Sequence, residues 1–127
     1  MSRITFHKTE KLKSSKQIAE LFTSGRSVPA FPLKALWAVV PSERGGIKAG
    51  FAVPKRNFRR ATDRNLLKRR LREAYRLNKY ELASTCLKRE KEIHLMFVYT
   101  SSGKVPFHVI EEAAKRILSK ILYEVKK

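Results

Sequence analysis

The sequence has few of the residues from which enzymes build metal and nucleophilic sites. Cys86 is its single cysteine, so the chain can form neither an intramolecular disulfide nor a cysteine-based zinc site, which fits a reducing compartment. Its three histidines, His7, His94 and His108, lie far apart and lack metal-ligand spacing. We therefore expect no catalytic residues and no metal bound by the protein itself, and an independent metal-dependent nuclease is only a minor alternative.

Acidic residues and long apolar runs are also scarce. The chain has 11 Asp and Glu and 29 Lys and Arg, which gives it a formal net charge of +18. Residues 1–20 contain no apolar run that could serve as a signal peptide, and no stretch approaches membrane-spanning length. We expect a cytoplasmic protein with no membrane partner. The 127 residues leave room for a single domain, 1–127, in which residues 1–10 are predicted to be flexible.

Half of the net charge lies in one segment, residues 55–79. Eleven Lys and Arg against two acidic residues give this segment +9. From Thr62 onward it has helical periodicity, with Leu67, Leu71 and Ala74 on one arc. The adjacent arc, here called the basic arc, carries Arg64, Asn65, Lys68, Arg69, Arg72 and Arg76. Such a helix can bury one face and present guanidinium groups to phosphates on the other, so the segment predicts nucleic-acid binding.

The remaining chain predicts alternating helices and strands. Ser14 or Ser15 can cap a short helix that ends near Ser24. Strands are expected at residues 33–40 and 48–53, joined as a hairpin by a turn at 41–46. The second strand has a flat face, which carries Gly50, Ala52 and Pro54.

The C-terminal half completes the predicted fold. Residues 81–91 read as the tail of the basic helix and a loop, and residues 93–100 as a central strand that is buried on both faces. Pro106 opens a last helix with an apolar stripe. The fold class is α+β, with a mixed four-stranded sheet, three helices and the order α-β-β-β-α-β-α.

The central part of the chain resembles a known family. The run Gly50-Phe51-Ala52-Val53-Pro54-Lys55-Arg56, followed by Arg64-Asn65 and the basic residues up to Arg76, resembles the signature of the bacterial ribonuclease P protein component. The resemblance extends over about residues 8–122. The family has Arg-Asn-Arg at the start of its helix motif, whereas this chain has Leu66 at the third position.

The resemblance implies a fold and a function. In that family a catalytic RNA cleaves the 5′ leader from precursor tRNA with magnesium, and the protein binds that RNA through the basic helix. The family fold includes a left-handed βαβ crossover, and its protein holds the leader in a cleft between the first helix and the sheet. The implied partners are the catalytic RNA and precursor tRNA, without a protein partner. The implied cleft residues are Ile18, Phe22, Lys34, Leu36, Ala52 and Pro54, with Lys55 and Arg56 at the rim.

A second interpretation stays open at this point. A ribosomal protein, or another protein that binds structured RNA without a role in cleavage, would use the same basic helix. A helix-turn-helix DNA-binding protein fits less well, because strands separate the predicted helices. The two RNA-binding interpretations differ in one structural feature, since only the first requires a cleft for a single strand beside the basic helix.

Overall fold

The computed structural model describes residues 11–41 and 45–127 of the protein. The first ten residues, which we predicted to be flexible, lie outside the described residues, as does the middle of the turn at 41–46. The elements are α1 (Ser15–Ser24), β1 (Arg26–Ala30), β2 (Leu33–Val40), β3 (Gly46–Ala52), α2 (Ala61–Asn78), α3 (Tyr80–Lys88), β4 (Glu92–Tyr99) and α4 (Phe107–Lys126).

The ends of the helices follow the predicted signals. The side chain of Ser14 accepts a hydrogen bond from the backbone N–H of Gln17 at 3.3 Å, so it caps α1 as expected. Pro106 immediately precedes α4, where its fixed φ suits the first turn. The predicted apolar stripe of α4 is buried along the helix, at Ile110, Ala113, Ala114, Ile117, Leu118, Ile121 and Val125.

The sheet has the strand order β1-β2-β4-β3. β4 is antiparallel to β2 and parallel to β3, so it lies between the two strands that we predicted to form a hairpin, and that prediction is wrong. The reason is burial. Every residue of β4 from Ile93 to Tyr99 is buried, and a central position removes both of its apolar faces from water. β3 has half-buried residues at Lys48 and Gly50, and it forms an edge.

The connection from β3 to β4 contains two helices. The predicted tail and loop at residues 81–91 is instead a separate helix, α3, with Leu82 and Cys86 buried four residues apart. Within residues 11–41 and 45–127 the fold therefore has four helices rather than three, in the order α-β-β-β-α-α-β-α. Since β3 and β4 are parallel neighbours, the crossover itself is confirmed. Its left hand stays a prediction.

The helices divide between the two faces of the sheet. The larger core lies on one face, where α2, α3 and α4 pack against alternate strand residues such as Trp37, Leu95 and Phe97. Of the helices described, only α1 packs on the other face, where Leu21 contributes to a smaller cluster with Leu36, Met96 and Val98. The basic helix α2 and the first helix α1 are thus on opposite sides of one sheet.

Candidate nucleic-acid interface

The basic helix is held to the sheet by its apolar face. Leu67, Leu71, Ala74 and Tyr75 are buried, and Tyr75 contacts the rings of Phe51 and Phe97 at centroid distances of 5.9 Å. Burial of these four side chains holds the helix in place, although its mean hydropathy is low. The opposite face of α2 is then free to remain charged.

Much of the basic arc is open to solvent. Asn65, Arg69 and Arg72 are exposed, and Lys68 is half-buried. Within the described ranges, the guanidinium groups of Arg69 and Arg72 have no ion-pair or hydrogen-bond partner from the protein. Their forks are thus available to a phosphate or a base edge.

The residues at the two ends of the arc are engaged by the protein. Arg64 donates hydrogen bonds from Nη1 to the carbonyls of Phe58 at 2.7 Å and Arg59 at 2.8 Å, so it closes the turn that leads into α2. Arg76 donates to both carboxylate oxygens of Glu73, at 2.8 and 2.6 Å. Those hydrogen bonds hold the pKa of the Glu73 carboxyl below its usual value and raise the pKa of Arg76.

Contacts on the other flank of α2 show which way the basic arc faces. Arg70 donates from Nη1 to the carbonyl of Val105 at 2.8 Å, and Asn78 donates to a carboxylate oxygen of Glu111 at 3.0 Å. α4 and the segment before it therefore cover that flank. At 100° per residue the basic arc lies on the opposite flank of the helix. Around the helix, the basic arc lies next to Tyr75, and the ring of Tyr75 contacts Phe51 of β3. The arc therefore faces the β3 edge of the sheet.

The second predicted surface begins with the path of α1. Before the helix, Leu12 donates its backbone N–H to the carbonyl of Ala49 on β3. After the helix, Gly25 leads directly into Arg26 of β1. Ten helical residues span about 15 Å, which matches the roughly 14 Å of three interstrand spacings. α1 therefore crosses the sheet from its β3 edge to its β1 edge.

This crossing brings several predicted cleft residues together. Ile18, Leu36 and Ala52 belong to one apolar cluster beneath α1, and Phe22 on the same helix is half-exposed, at 52%. Lys34 is half-buried on β2. Strand register aligns Lys34, Val98 and Ala52 in one row across three strands. The row is on the face that α1 covers, because its members alternate with the residues of the larger core.

The rim residues follow the end of β3. The backbone N–H of Asn57 donates to the carbonyl of Pro54 at 3.1 Å, and the Asn57 side-chain amide donates to the carbonyl of Ser101 at 3.2 Å. These two bonds fix a turn that leaves Lys55 and Arg56 exposed. Since the turn continues into α2, the rim joins the cleft face of the sheet to the basic arc.

The predicted flat strand face is only partly open. A Cβ on Gly50 would lie 2.7 Å from the terminal methyl of Met96 and 3.7 Å from the Cβ of Leu12. The space above Gly50 is thus filled by the protein's own side chains rather than left for a ligand. Ala52 and Pro54 remain half-exposed, so the open part of this face lies at the end of β3.

Sequence reasoning missed three residues that build the cleft floor, namely Leu12, Met96 and Val98. The signal for the two β4 residues was present. The strand is apolar on both faces, so one alternate set had to face the first helix. Leu12 carried no such signal, because an isolated bridge to the sheet edge leaves no periodic pattern.

Two of the titratable residues that are candidates for chemistry, His94 and Cys86, are buried. His94 is buried with Nε2 at 2.6 Å from a carboxylate oxygen of Glu92, which makes it a satisfied residue of the sheet. Burial raises the pKa of the Cys86 thiol to about 11, so the group is not a nucleophile at neutral pH. In residues 11–41 and 45–127, no three His, Cys, Asp or Glu side chains gather where they could hold a metal ion. None of the helices described is long and apolar enough to cross a membrane.

Comparisons with known proteins agree on one family. A family model described as Ribonuclease P matches residues 6–122. The ribonuclease P protein component of Porphyromonas gingivalis is 31% identical over 115 residues, which cover 90% of this chain and 84% of that protein. The corresponding protein of Chlorobium phaeobacteroides is 31% identical over 129 residues, with coverages of 96% and 88%.

Solved structures show the same fold. The RNase P protein of Staphylococcus aureus superimposes with a TM-score of 0.66 at 18% identity, over 88% of this chain and 94% of that chain. A mutant of that protein gives a TM-score of 0.68 at 16% identity, over 90% and 89%. The α+β architecture is therefore shared at low sequence identity.

Proposed function

This chain belongs to the ribonuclease P protein family, and we propose from that membership that it binds RNA through two separate surfaces, the basic arc of α2 and the cleft beside α1. The protein is a subunit of an endoribonuclease that processes tRNA, so cleavage is an activity of the holoenzyme. The observation that best supports two separate RNA-binding surfaces is their placement on the sheet. The arc and the cleft lie on opposite faces of the sheet, and both open toward the β3 edge.

The basic arc is proposed to contact the catalytic RNA. Asn65, Arg69 and Arg72 project from a helix that four buried residues between Leu67 and Tyr75 hold to the core, so they can meet a structured RNA without a change in the backbone. Arginine forks suit the phosphates of folded RNA, and counterion release makes such contacts favourable. Arg64 and Arg76 would contribute charge while keeping their contacts within the protein.

The cleft is proposed to hold the 5′ leader of precursor tRNA. Its apolar floor, half-exposed Phe22 and flanking Lys34 combine the two features that single-stranded RNA needs, a surface for bases and a cation for phosphates. Lys55 and Arg56 would guide the strand from the rim, where the cleft face meets the basic arc. Both RNAs would then meet at the β3 edge of the sheet.

The reaction itself is assigned to the RNA subunit. Of the nine acidic side chains described, four are paired with Lys or Arg, for example Asp63 with Lys104 at 2.7 Å and Glu124 with Arg26 at 2.9 Å, and the nine do not converge. These residues do not fit a magnesium site, so we propose that magnesium is held by the RNA. A cytoplasmic location and the absence of a protein partner are parts of the same proposal.

Reconstitution tests this function. The protein is added to a catalytic RNA from the matching organism, and precursor-tRNA cleavage is measured at low magnesium concentration. We expect cleavage only when both are present, and no cleavage by the protein freed of nucleic acid. A ribosomal-type protein would bind the RNA without promoting cleavage, which would reject the proposal. Cleavage by the purified protein that is lost on mutation of an acidic residue would also reject it.

A further inference from the structure

Phe31 lies in the turn between β1 and β2 and has no role in the core. Its side chain is 74% exposed, more than any other large apolar residue in residues 11–41 and 45–127. The turn beneath it is well fixed, because Pro32 is buried and its carbonyl accepts a hydrogen bond from the backbone N–H of Thr100 at 2.8 Å. An aromatic ring held on a fixed turn and exposed to water is available to a partner that offers an apolar or π face, and covering the ring would be favourable.

Strand register places this turn at one end of the cleft. On the face that α1 covers, Pro29 of β1 pairs with Lys34 of β2, Lys34 with Val98 of β4, and Val98 with Ala52 of β3. This row runs across the sheet in the same direction as α1. Its β3 end leads to the rim at Lys55, and its β1 end lies two residues before Phe31.

The two ends of the row are close enough for one short RNA segment. Three interstrand spacings give about 14 Å between Ala52 and Pro29. At the roughly 3.4 Å rise of a stacked strand, this distance corresponds to about four nucleotides, and an extended strand would need fewer. A leader that enters at Ala52 and follows the row would therefore reach Phe31 within a few nucleotides.

We propose that Phe31 is a stacking platform for an unpaired base of the leader, at the end of the cleft away from the basic arc. The inference rests on the proposed leader cleft and extends it. Single-strand sites combine cations with aromatic faces, and every base offers a π-face to an aromatic ring. The predicted cleft has only one aromatic residue, Phe22, and Phe31 supplies a second one beyond Lys34.

The experiment is a set of equilibrium titrations of precursor tRNAs with leaders of about two and about eight nucleotides, lengths on either side of the estimated span. They are carried out on the reconstituted holoenzyme. Phe31→Ser should weaken binding of the long-leader substrate by at least about fivefold, the lower end of the range for one stacked base. It should leave the short-leader substrate unchanged. Phe31→Trp should restore binding, because stacking needs only an aromatic face. The matched control is Tyr80→Ser, which removes an aromatic ring of 59% exposure from α3, on the other face of the sheet.

The possible results distinguish failure of the Phe31 platform from failure of the leader cleft on which it rests. If Ala52→Trp weakens the long-leader substrate and Phe31→Ser does not, the cleft is correct and the platform is wrong. If Ala52→Trp has no effect that depends on the leader, the leader cleft itself is wrong. If Phe31→Ser instead converts a dimer to a monomer in sedimentation without changing RNA affinity, the ring serves self-association and the platform is rejected.

Discussion

Arg76 and Glu73 form a two-pronged ion pair on α2, with Nε to Oε1 at 2.8 Å and Nη2 to Oε2 at 2.6 Å. The pair joins a member of the basic arc to the acidic residue three positions before it. An approaching RNA therefore meets a guanidinium group that is already neutralised. Glu73 limits the charge that the arc presents.

Removing the Glu73 carboxylate should strengthen RNA binding. Glu73→Gln keeps the size of the side chain but removes the negative charge that neutralises Arg76, and we expect affinity for the catalytic RNA to rise about two- to fivefold, as for one exposed ion pair. Filter binding or fluorescence anisotropy at fixed salt measures the change. Glu112→Gln, which acts on an exposed pair with Arg116 on α4, is the matched control and should have little effect. An equal gain from both variants would show that net charge alone matters.

Arg69 and Arg70 are neighbours in sequence that should respond differently to substitution. Arg70 donates to the Val105 carbonyl at 2.8 Å, so Arg70→Ala should destabilise the fold by about 1.5–3 kcal/mol, the usual value for a hydrogen bond to a charged group. Arg69 is exposed, so Arg69→Ala should weaken RNA binding and leave stability unchanged. Urea denaturation and RNA titration of both variants provide the comparison. Equal losses of RNA affinity in the two correctly folded variants would contradict the direction assigned to the arc.

RNA binding should depend steeply on salt. If about five phosphates are neutralised by the arc and the rim, the slope of log K against log salt should be roughly −4. Affinity measured from low to moderate salt gives this slope directly. A slope near zero would mean that the basic arc does not touch the RNA.

Cys86 should be unreactive in the folded protein. Burial raises its pKa from 9.0 to about 11, so the folded state favours the neutral thiol. The resulting stabilisation is fully present below pH 9 and is lost as the pH rises toward about 11. A thiol reagent at pH 8 should label the protein only in denaturant. Rapid labelling under native conditions would contradict the burial of this side chain.

The sequence predicted periodic elements well and tertiary pairing poorly. The apolar stripe of α4 and the two arcs of α2 follow directly from a 3.6-residue period, and both helices bury the residues expected of them. The hairpin prediction was wrong, because a local turn signal cannot show that β4 inserts between β2 and β3. α3 was missed because only Leu82 and Cys86 mark its buried face among polar residues.

In the candidate site, too, the sequence indicated residues within single elements but not the residues that other elements bring beside them. Ile18, Leu36 and Ala52 do come together, but the cluster also contains Met96 and Val98, which only the strand register could identify. The sequence placed Gly50 on a flat strand face without showing what lies against it, and the structure covers it with Met96. The sequence also could not show which flank of α2 packs against the protein. Arg70 lies on the flank that contacts Val105, whereas its neighbour Arg69 lies on the exposed flank.

The central claim is that the arc and the cleft act on different RNAs, and one pair of titrations tests it most directly. Binding of leader-bearing and leaderless tRNA to the holoenzyme, and binding of the catalytic RNA to the protein, are measured for Arg69→Ala and Ala52→Trp after circular dichroism shows intact folds. Arg69→Ala should weaken binding of the catalytic RNA by about 1.5–3 kcal/mol whether or not the substrate has a leader. Ala52→Trp should weaken only the leader-bearing substrate. Equal losses in both variants, for every RNA, would contradict the account and favour a single basic face.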